Sequence, residues 1–471
     1  MARFGTARWI DGKELKRLLV LMLPLYIGNL MQLGMGVTDT IAAGRAGDTD
    51  LAAVGLGTSL VFPVMVGFGT ILSIATPMLS RLRGAGCAGK AGAVLCNTKA
   101  LAALLLPVEW LLLGVGSFCF ALTTDDPEIA RTAQLYTWFM MAGIPANLLF
   151  RVAQSHFEGF GQTRPGMLFS MLGVVVNIPL NLLFVFGSCG FPRLGGAGCG
   201  LASALIIWMM AIGMTALLFA IPSYRRATLQ WLALRLPDCR QLGTIFRLGF
   251  PLGLSSFCEM SFFSVVTFII APLGKLAVAA QQVSINVSGV IFMLPLSFGV
   301  AASIRAAYHI GARDKGRFFA LVRTAFVAMF TGVFVLFCCT ILFRGHIVAC
   351  YTADPAIASL SVHLLFFCAI YQFSDGAQAL LSGILRGCQD TAAITWICLG
   401  SYWLVGFPLA CLLIRTDYLV PALGAEGAWV SFIVALTLAA VLLALRFRHT
   451  ARKLFDKSMI LSHYHPIAPD K

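Results

Sequence analysis

"LPLYIGNLMQ", which begins at Leu23, and "FPLGLSSFCE", which begins at Phe250, open the two halves of this chain with the same pattern. Further matches follow in the same order along both halves: "LAAVGLG" from Leu51 with "VAAQQVS" from Val278, and "DPEIA" from Asp126 with "DPAIA" from Asp354. The residue numbers differ by 227 for Pro24 and Pro251, by 228 for Asp126 and Asp354, and by 229 for Pro179 and Pro408. A nearly constant offset indicates two tandem copies of one fold. In a membrane protein, such repeats are typical of transporters.

The composition predicts a membrane protein. The chain has 471 residues, of which 59% are hydrophobic and 11% are charged, whereas a soluble domain carries about 25% charged residues. Its apolar runs exceed the ~20 residues that a helix needs to cross a bilayer. The expected fold is an all-α polytopic membrane protein. A transmembrane β-barrel is excluded because its strands would alternate polar and apolar residues.

Twelve transmembrane helices are predicted, six in each repeat. In the first half they cover roughly 17–43, 52–79, 92–121, 130–152, 165–188 and 199–221. In the second half they cover roughly 246–270, 278–304, 318–343, 357–384, 392–414 and 427–446. The expected domains are an N-terminal lobe (1–221), a polar linker (222–245), a C-terminal lobe (246–447) and a tail (448–471). Since six spans return the chain to the same side, the pseudo-two-fold axis should lie along the membrane normal.

The net charge of +14 is explained by topology. Lys and Arg cluster at the N-terminus, after the second and eighth spans, in the linker and in the tail, and Arg305 is assigned to the cluster after the eighth span. The opposite loops are rich in Asp. The positive-inside rule then places both termini in the cytoplasm, and nucleic acid is not an expected partner. Most of the 14 cysteines fall inside spans, and a bridge between Cys189 and Cys199 is left open.

Four acidic residues fall well inside predicted spans: Asp39, Glu109, Glu259 and Asp375. A carboxylate at the centre of a membrane helix costs at least ~2.5–3.5 kcal/mol. No Lys or Arg lies deep enough in a span to neutralise Asp39, Glu259 or Asp375, so we expect an external cation at these residues. The alternative is a protonated carboxyl hydrogen-bonded to Asn, Tyr or Ser. This alternative is favoured for Glu109, whose repeat equivalent is Leu336.

The repeats differ at these charged positions, which suggests a division of labour. The equivalent positions are Glu259 with Gln32, Asp375 with Asn147, and Asp39 with Val266. The second half therefore holds two carboxylates, which we expect to share one buried ion site, with Tyr371 and Phe263 each four residues from one of them. The first half holds Asp39, which we expect to face the central cavity. Asn177 and Asn181 form another pair four residues apart, on the fifth span.

The absent motifs limit the function. The chain has no GxxxxGK[ST] phosphate-binding loop and no HExxH motif, so neither ATP-driven transport nor protease activity is expected. We expect no enzyme activity and no cofactor, with energy supplied by an ion gradient.

With these residues in view, the chain resembles the NorM-type bacterial branch of the multidrug and toxic compound extrusion family. The resemblance rests on "LPLYIGNLMQLGMGVTDTIAAGRAGDTDLAAVGLG", "GFPLGLSSFCEMSFFSVV", "VAAQQVSINVSGVIFMLPLS" and "NIPLNLLFVFG". It implies two six-helix lobes arranged in a V that open alternately to each side. It also implies export of organic cations in exchange for Na⁺ or H⁺.

The resemblance also implies site residues. The cation site would hold Na⁺ at Glu259 and Asp375, with Tyr371, Phe263 and Phe292 nearby. The first-lobe carboxylate would be Asp39, and the residues lining or capping the drug site would be Ser59, Gln282 and Asp354. A proton-driven archaeal branch carries Asp where this chain has Asn181, which favours Na⁺ over H⁺.

Two rival functions are considered. A flippase for lipid-linked oligosaccharides has a related architecture, but its pyrophosphate substrate would need a basic cavity. A channel or receptor does not account for the tandem halves. The expected protein is a monomeric multidrug antiporter of the bacterial cytoplasmic membrane.

Overall fold

The computed structural model describes residues 10–124, 126–221, 237–352, 354–416 and 423–454. Twelve long helices occupy this part of the chain: α1 Gly12–Ala46, α2 Asp48–Leu72, α3 Ala91–Phe118, α4 Pro127–Gly159, α5 Arg164–Phe186, α6 Gly196–Ala220, α7 Cys239–Ile270, α8 Lys275–Gly311, α9 Lys315–Ala349, α10 Pro355–Gly387, α11 Thr391–Arg415 and α12 Ala425–Leu454. A short helix, Ala75–Gly84, extends α2. Most of the predicted linker and the end of the predicted tail, 222–236 and 455–471, lie outside the described residues.

The predicted all-α polytopic architecture is confirmed. Within the described residues, eleven helical segments are long and apolar enough to cross a membrane. The twelfth long helix, α4, has 33 residues and covers the predicted fourth span. Helix α4 is not among those eleven segments.

The repeated "DP" motif marks the start of a helix in each half. Asp126 and Asp354 cap α4 and α10, each accepting a hydrogen bond from the backbone N–H two residues further on, at 2.9 and 2.8 Å. Pro127 and Pro355 occupy the first helical position, where the missing N–H of proline costs nothing. Asp354, which the family resemblance assigned to the drug site, therefore has its carboxylate engaged at the beginning of α10.

Each half is organised around its fourth helix. In the first half α4 packs against α2, α3 and α6, and in the second half α10 packs against the equivalent helices α8, α9 and α12. The interior of the first half includes Phe150 and Phe157 on α4 with Met210 and Met214 on α6. The same packing scheme in both halves is the three-dimensional counterpart of the sequence repeat.

Helices α8 and α10 approach each other so closely that only glycine fits at their crossing. A methyl group on Gly383 would overlap the carbonyl oxygen of Gly299, and one on Gly299 would lie 2.7 Å from the carbonyl oxygen of Ala379. Small residues of this kind are typical of membrane interfaces, where close backbone packing drives helix association.

The described helices form two compact units whose limits differ from the order of the repeats. One unit is Leu19–Met260, and the other combines Met1–Leu18 with Ser261–Lys471. The divisions fall inside α1 and α7. The first turns of α1 thus pack with the second half, and the larger part of α7 packs with the first.

Helix α11 contains a wide π-helical turn, Gly400–Gly406, between its two α-helical parts. Pro408 follows two residues after the end of this turn. Because proline lacks an N–H and crowds the carbonyl four residues earlier, it disturbs the α-helical ladder at this point. Tyr402 lies in the turn and stacks on Phe262 of α7, with ring centroids 5.6 Å apart.

The glycine crossing gives a testable prediction. Gly383→Ala should lower the free energy of unfolding by about 1–3 kcal/mol, because the added methyl group meets backbone that cannot move aside. Thermal melting in detergent measures the effect. Gly289→Ala on α8 is the matched control, since a methyl group added there would meet no neighbouring atom within 4 Å. Equal melting temperatures for the two variants would show that the crossing tolerates a wider spacing.

Candidate functional site

Asp39 of α1 lies buried at the centre of a polar cluster in the unit Leu19–Met260. Its Oδ1 accepts hydrogen bonds from Asn177 Nδ2 at 2.9 Å and Asn181 Nδ2 at 2.7 Å, both on α5. Its Oδ2 accepts from Ser203 Oγ of α6 at 2.7 Å. The cluster is buried because three helices turn their polar residues toward one another. The carboxylate expected to face the central cavity and the amide pair on the fifth span are thus one site.

The first-half cluster is rich in oxygen atoms that can accept. Asn181 Nδ2 also donates to Asn177 Oδ1 at 3.1 Å. Asn181 Oδ1 is buried and has no hydrogen-bond partner among the described residues. Carboxylate and amide oxygens are the ligands that hard cations prefer. No group of three or more His, Cys, Asp or Glu side chains in the described part of the chain could hold a metal ion, so any cation at Asp39 would depend on amide and hydroxyl oxygens.

Tyr136 connects the surroundings of Asp39 to α2. Thr58 donates to the hydroxyl of Tyr136 at 3.3 Å, and the ring lies between Gly57 and Gly200, where a methyl group on either glycine would strike it. Thr58 is exposed, as is its neighbour Ser59. The predicted substrate residue Ser59 donates to the carbonyl of Gly55 at 2.8 Å.

The second-half candidates gather around Tyr371 and Asp375, both buried on α10. The Tyr371 ring meets Phe263 edge-on, at 6.3 Å between centroids, and Phe263 packs on Phe432 at 4.7 Å. Phe292 is partly buried on α8. The predicted aromatic surroundings of Asp375 therefore include a compact group of rings, of the kind that edge-to-face contacts hold in place.

A buried glutamine fixes one of these rings. Trp429 meets Tyr371 at 5.6 Å and 88°, and its indole N–H donates to Gln281 Oε1 at 2.9 Å. Trp429 is 1% exposed and Gln281 is 0% exposed. The neighbouring Gln282, the predicted substrate residue, is exposed.

Glu259 lies partly buried on α7 at the end of the unit Leu19–Met260, whereas Asp375 belongs to the other unit. Their sharing of one ion stays a prediction. Glu109 on α3 is fully buried, and neither of its carboxyl oxygens has a hydrogen-bond partner among the described residues. This fits a protonated side chain in an apolar setting better than an ion ligand.

A comparison with known protein families matches each half of the chain separately. The MatE family model matches the chain twice, over residues 24–183 and 251–412. The chain belongs to the MatE family. The two matches begin at Pro24 and Pro251, the pair of prolines that opens the two halves, so the tandem repeat predicted from the sequence is confirmed. The family consists of membrane transporters, which agrees with the expectation that the chain is not an enzyme.

Individual relatives cover nearly the whole chain. It is 37% identical over 439 residues to the multidrug resistance protein MdtK of Yersinia pestis, covering 92% of this chain and 95% of the relative. It superposes on the eukaryotic MATE transporter AtDTX14 with a TM-score of 0.83 at 20% identity, covering 94% and 98% of the two chains. The Vibrio cholerae MATE transporter VcmN in its bent form gives 0.80 at 19%, with coverage of 94% and 98%. These two similarities establish the fold.

Several contacts escaped the sequence interpretation. Nothing in the local sequence pattern marked three of the residues that make these contacts, which are Ser203, Gln281 and Trp429. Cys199, considered for a bridge with Cys189, is a free buried thiol that donates to the backbone carbonyl of Asp39 at 3.5 Å. The side chain of Cys189 lies outside the described part of the structure.

The indole hydrogen bond gives a second testable prediction. Gln281→Leu should lower the free energy of unfolding by about 1–3 kcal/mol, because the Trp429 N–H would stay buried without an acceptor. Adding Trp429→Phe removes that donor, so the double variant should lose less than the sum of the single variants. Gln282→Leu, at the adjacent exposed position, is the control and should change stability by less than about 0.5 kcal/mol. If thermal melting shows that the stability losses of the two single variants simply add up in the double variant, the hydrogen bond between Gln281 and Trp429 does not contribute to stability.

Proposed function

We propose that this chain is a cation-coupled multidrug antiporter that exports amphipathic organic cations, with Na⁺ favoured over H⁺ as the coupling ion. The observation that carries the proposal is the setting of Asp39. Its carboxylate is buried inside a membrane-spanning half, and its hydrogen-bond partners, Asn177, Asn181 and Ser203, are all neutral. The curated relatives at 37% identity are named multidrug resistance proteins, which supports the same reading.

A buried carboxylate without a basic partner favours binding of a cation. Neutral donors lower the cost of burying the charge, but they do not cancel it. A bound proton, Na⁺ or organic cation would neutralise the charge of the carboxylate. Among the described residues, Asn181 Oδ1 has no hydrogen-bond partner, so one amide acceptor of this cluster is available. Where the archaeal branch has a second carboxylate, this chain offers an amide. With an amide in that place the first half has no second acid to relay a proton from Asp39, which favours Na⁺ as the coupling ion at the second-half carboxylates and leaves Asp39 to favour cationic substrates.

The second half would supply a separate ion site at Asp375 with Tyr371, supported by Phe263 and by Glu259 of α7, and with Phe292 nearby. Ser59, Gln282 and Asp354 would line or cap the path of the drug. Transport then requires that ion and drug each bind with different affinity to two conformations of the protein, because coupling between sites is reciprocal. Alternating access is the simplest cycle that meets this requirement.

The proposed setting is the bacterial cytoplasmic membrane, with both termini in the cytoplasm and the chain acting as a monomer. Export of lipid-linked oligosaccharides is disfavoured. A pyrophosphate would need a basic cavity, whereas Asp39, Glu109 and Asp375 are buried acids inside the helices.

The decisive experiment reconstitutes the purified protein into liposomes loaded with ethidium. An inward Na⁺ gradient at constant pH should drive dye efflux, and a pH gradient without Na⁺ should drive less. Efflux that follows only the pH gradient would assign H⁺ as the coupling ion. No efflux under either gradient would contradict the proposed antiport.

Asp39→Asn should reduce export of cationic dyes by at least about tenfold and spare neutral substrates, because the amide no longer provides the negative charge. Efflux of one cationic and one neutral substrate, compared in the same vesicles, measures the difference. Ser203→Ala removes one donor and keeps the charge, so it is the milder control. Equal loss of both substrate classes in Asp39→Asn would indicate a structural role.

Glu259→Gln and Asp375→Asn should each abolish ion-driven export in a protein that still folds, since each variant removes one of the two negative charges proposed to hold the coupling cation. The measurement is Na⁺-dependent dye efflux alongside thermal melting. Glu109→Gln, at a buried acid without an acidic repeat partner, should keep most of the activity. Normal Na⁺-dependent efflux in Glu259→Gln or Asp375→Asn would contradict the second-half site.

A further inference from the structure

The first turn of α1 carries a buried ion pair with the second half of the chain. Arg305 of α8 donates through its terminal NH2 group to both carboxylate oxygens of Glu14, at 2.8 and 2.7 Å, and through Nε to Oε2 at 3.2 Å. Glu14 is 1% exposed and Arg305 is 6% exposed. Charge-assisted bonds of this geometry are among the strongest that side chains form.

His309, one turn further along α8, completes the group. It is 1% exposed, and its Nε2 lies 3.0 Å from the Arg305 NH2 group. The same nitrogen lies 3.3 Å from Glu14 Oε2, so the imidazole contacts both members of the ion pair, and its tautomer decides which of the two contacts is a hydrogen bond. The guanidinium carbon also lies 5.2 Å from the centre of the Tyr308 ring, within the range of a cation–π contact. Arg305 is therefore held on three sides.

A second contact fixes the same turn. The backbone N–H of Asp11 donates to Thr324 Oγ1 of α9 at 3.1 Å. The beginning of α1 is thus attached to α8 and α9 of the second half. Helix α1 then passes from the second-half unit to the first-half unit between Leu18 and Leu19. A single continuous helix joins the two units at that point.

At the equivalent position of the other repeat, the residue that corresponds to Glu14 is uncharged. Gln241, which the offset between Pro24 and Pro251 makes the repeat equivalent of Glu14, accepts a hydrogen bond from Asn97 Nδ2 at 2.7 Å. Asn97 and Thr324 are related by the same offset. The beginning of α7 is therefore attached to α3 of the first half at equivalent positions. Within the described residues, the α1 attachment therefore contains a buried ion pair at the position where the α7 attachment contains an amide–amide hydrogen bond.

We propose that Glu14, Arg305 and His309 form a latch that holds the first turns of α1 on the second-half unit, and that the latch opens during each transport cycle. Because α1 is one continuous helix across the boundary between Leu18 and Leu19, any motion of one unit relative to the other must either bend α1 there or open the latch. While the latch is closed, such a motion requires a bend in α1. This inference rests on the proposed transport cycle but not on which ion or drug is transported, and the labelling experiment below needs no transport at all.

The release experiment uses a neutral double variant. Glu14→Gln alone would leave Arg305 buried without its counter-charge, which is strongly destabilising. Glu14→Gln with Arg305→Gln removes both charges together and should fold. In this background, Leu18→Cys, at a position that is 0% exposed, should react with a maleimide about tenfold faster than in the parent, because local opening controls access. Mass spectrometry of the labelled peptide gives the rate, and native Cys96 in the other unit serves as the internal standard.

The matched control is another ion pair of the same unit. Arg446 of α12 donates to both oxygens of Asp390 at 2.7 and 3.0 Å, and both residues belong to the second repeat. Asp390→Asn with Arg446→Gln should leave the Leu18→Cys rate unchanged. A rate within about twofold of the parent for the latch variant, with both double variants folded, would overturn the latch.

A second experiment prevents the first turn of α1 from leaving α9 and so tests whether the latch must open during transport. A disulfide between Asp11→Cys and Thr324→Cys should stop dye efflux, and a reductant should restore it. Each single cysteine variant is the control for the native thiols. Full efflux with the disulfide formed, as shown by mass spectrometry, would mean that the first turn of α1 stays attached throughout the cycle, and the proposal would be wrong.

Discussion

The hydrocarbon interior of a bilayer offers no partner to an N–H or a carbonyl group, and most of this structure follows from that constraint. Across the described residues the chain answers it with long helices that satisfy their own backbones. Several buried polar side chains follow the same rule by forming hydrogen-bonded groups. Asp39 lies among amides and a hydroxyl, Trp429 bonds to Gln281, and Glu14 bonds to Arg305. Each group joins helices that are distant in sequence, so the polar residues specify which helices become neighbours.

The two halves share their packing and differ in their charges. The fourth helix of each half is surrounded by the second, third and sixth, and glycines allow the closest crossings. The polar positions have diverged: Asp39 has Val266 as its repeat equivalent, and Glu14 has Gln241. Helix packing is therefore similar in the two halves, whereas the polar side chains at equivalent positions differ. These differences give each half its own chemistry.

The fold could be predicted largely from the sequence, and the site only in part. Hydropathy and the spacing of prolines are local signals, and they predicted both the spans and the repeat. The amide pair Asn177 and Asn181 was recognised, but its contact with Asp39 joins residues 138 and 142 positions apart, which no local pattern reveals. Arg305 was assigned to a cytoplasmic basic cluster. The side of the membrane on which it lies stays a prediction, but its burial was not foreseen: α8 continues to Gly311, and Arg305 pairs there with Glu14. Gln281 and Gln282 are adjacent and chemically identical, so only the positions of their neighbours show which one is buried.

The wide turn in α11 explains the drift in the offset between the repeats. Equivalent residue numbers differ by 228 at the caps of α4 and α10 and by 229 at Pro179 and Pro408. One residue has therefore been gained between these points, and the π-helical turn Gly400–Gly406 lies there. In a regular α-helix an added residue would rotate everything after it by about 100°. A π turn takes up an extra residue within one turn, so the residues after it need not rotate. A membrane helix can in this way gain a residue without presenting a different face to its neighbours.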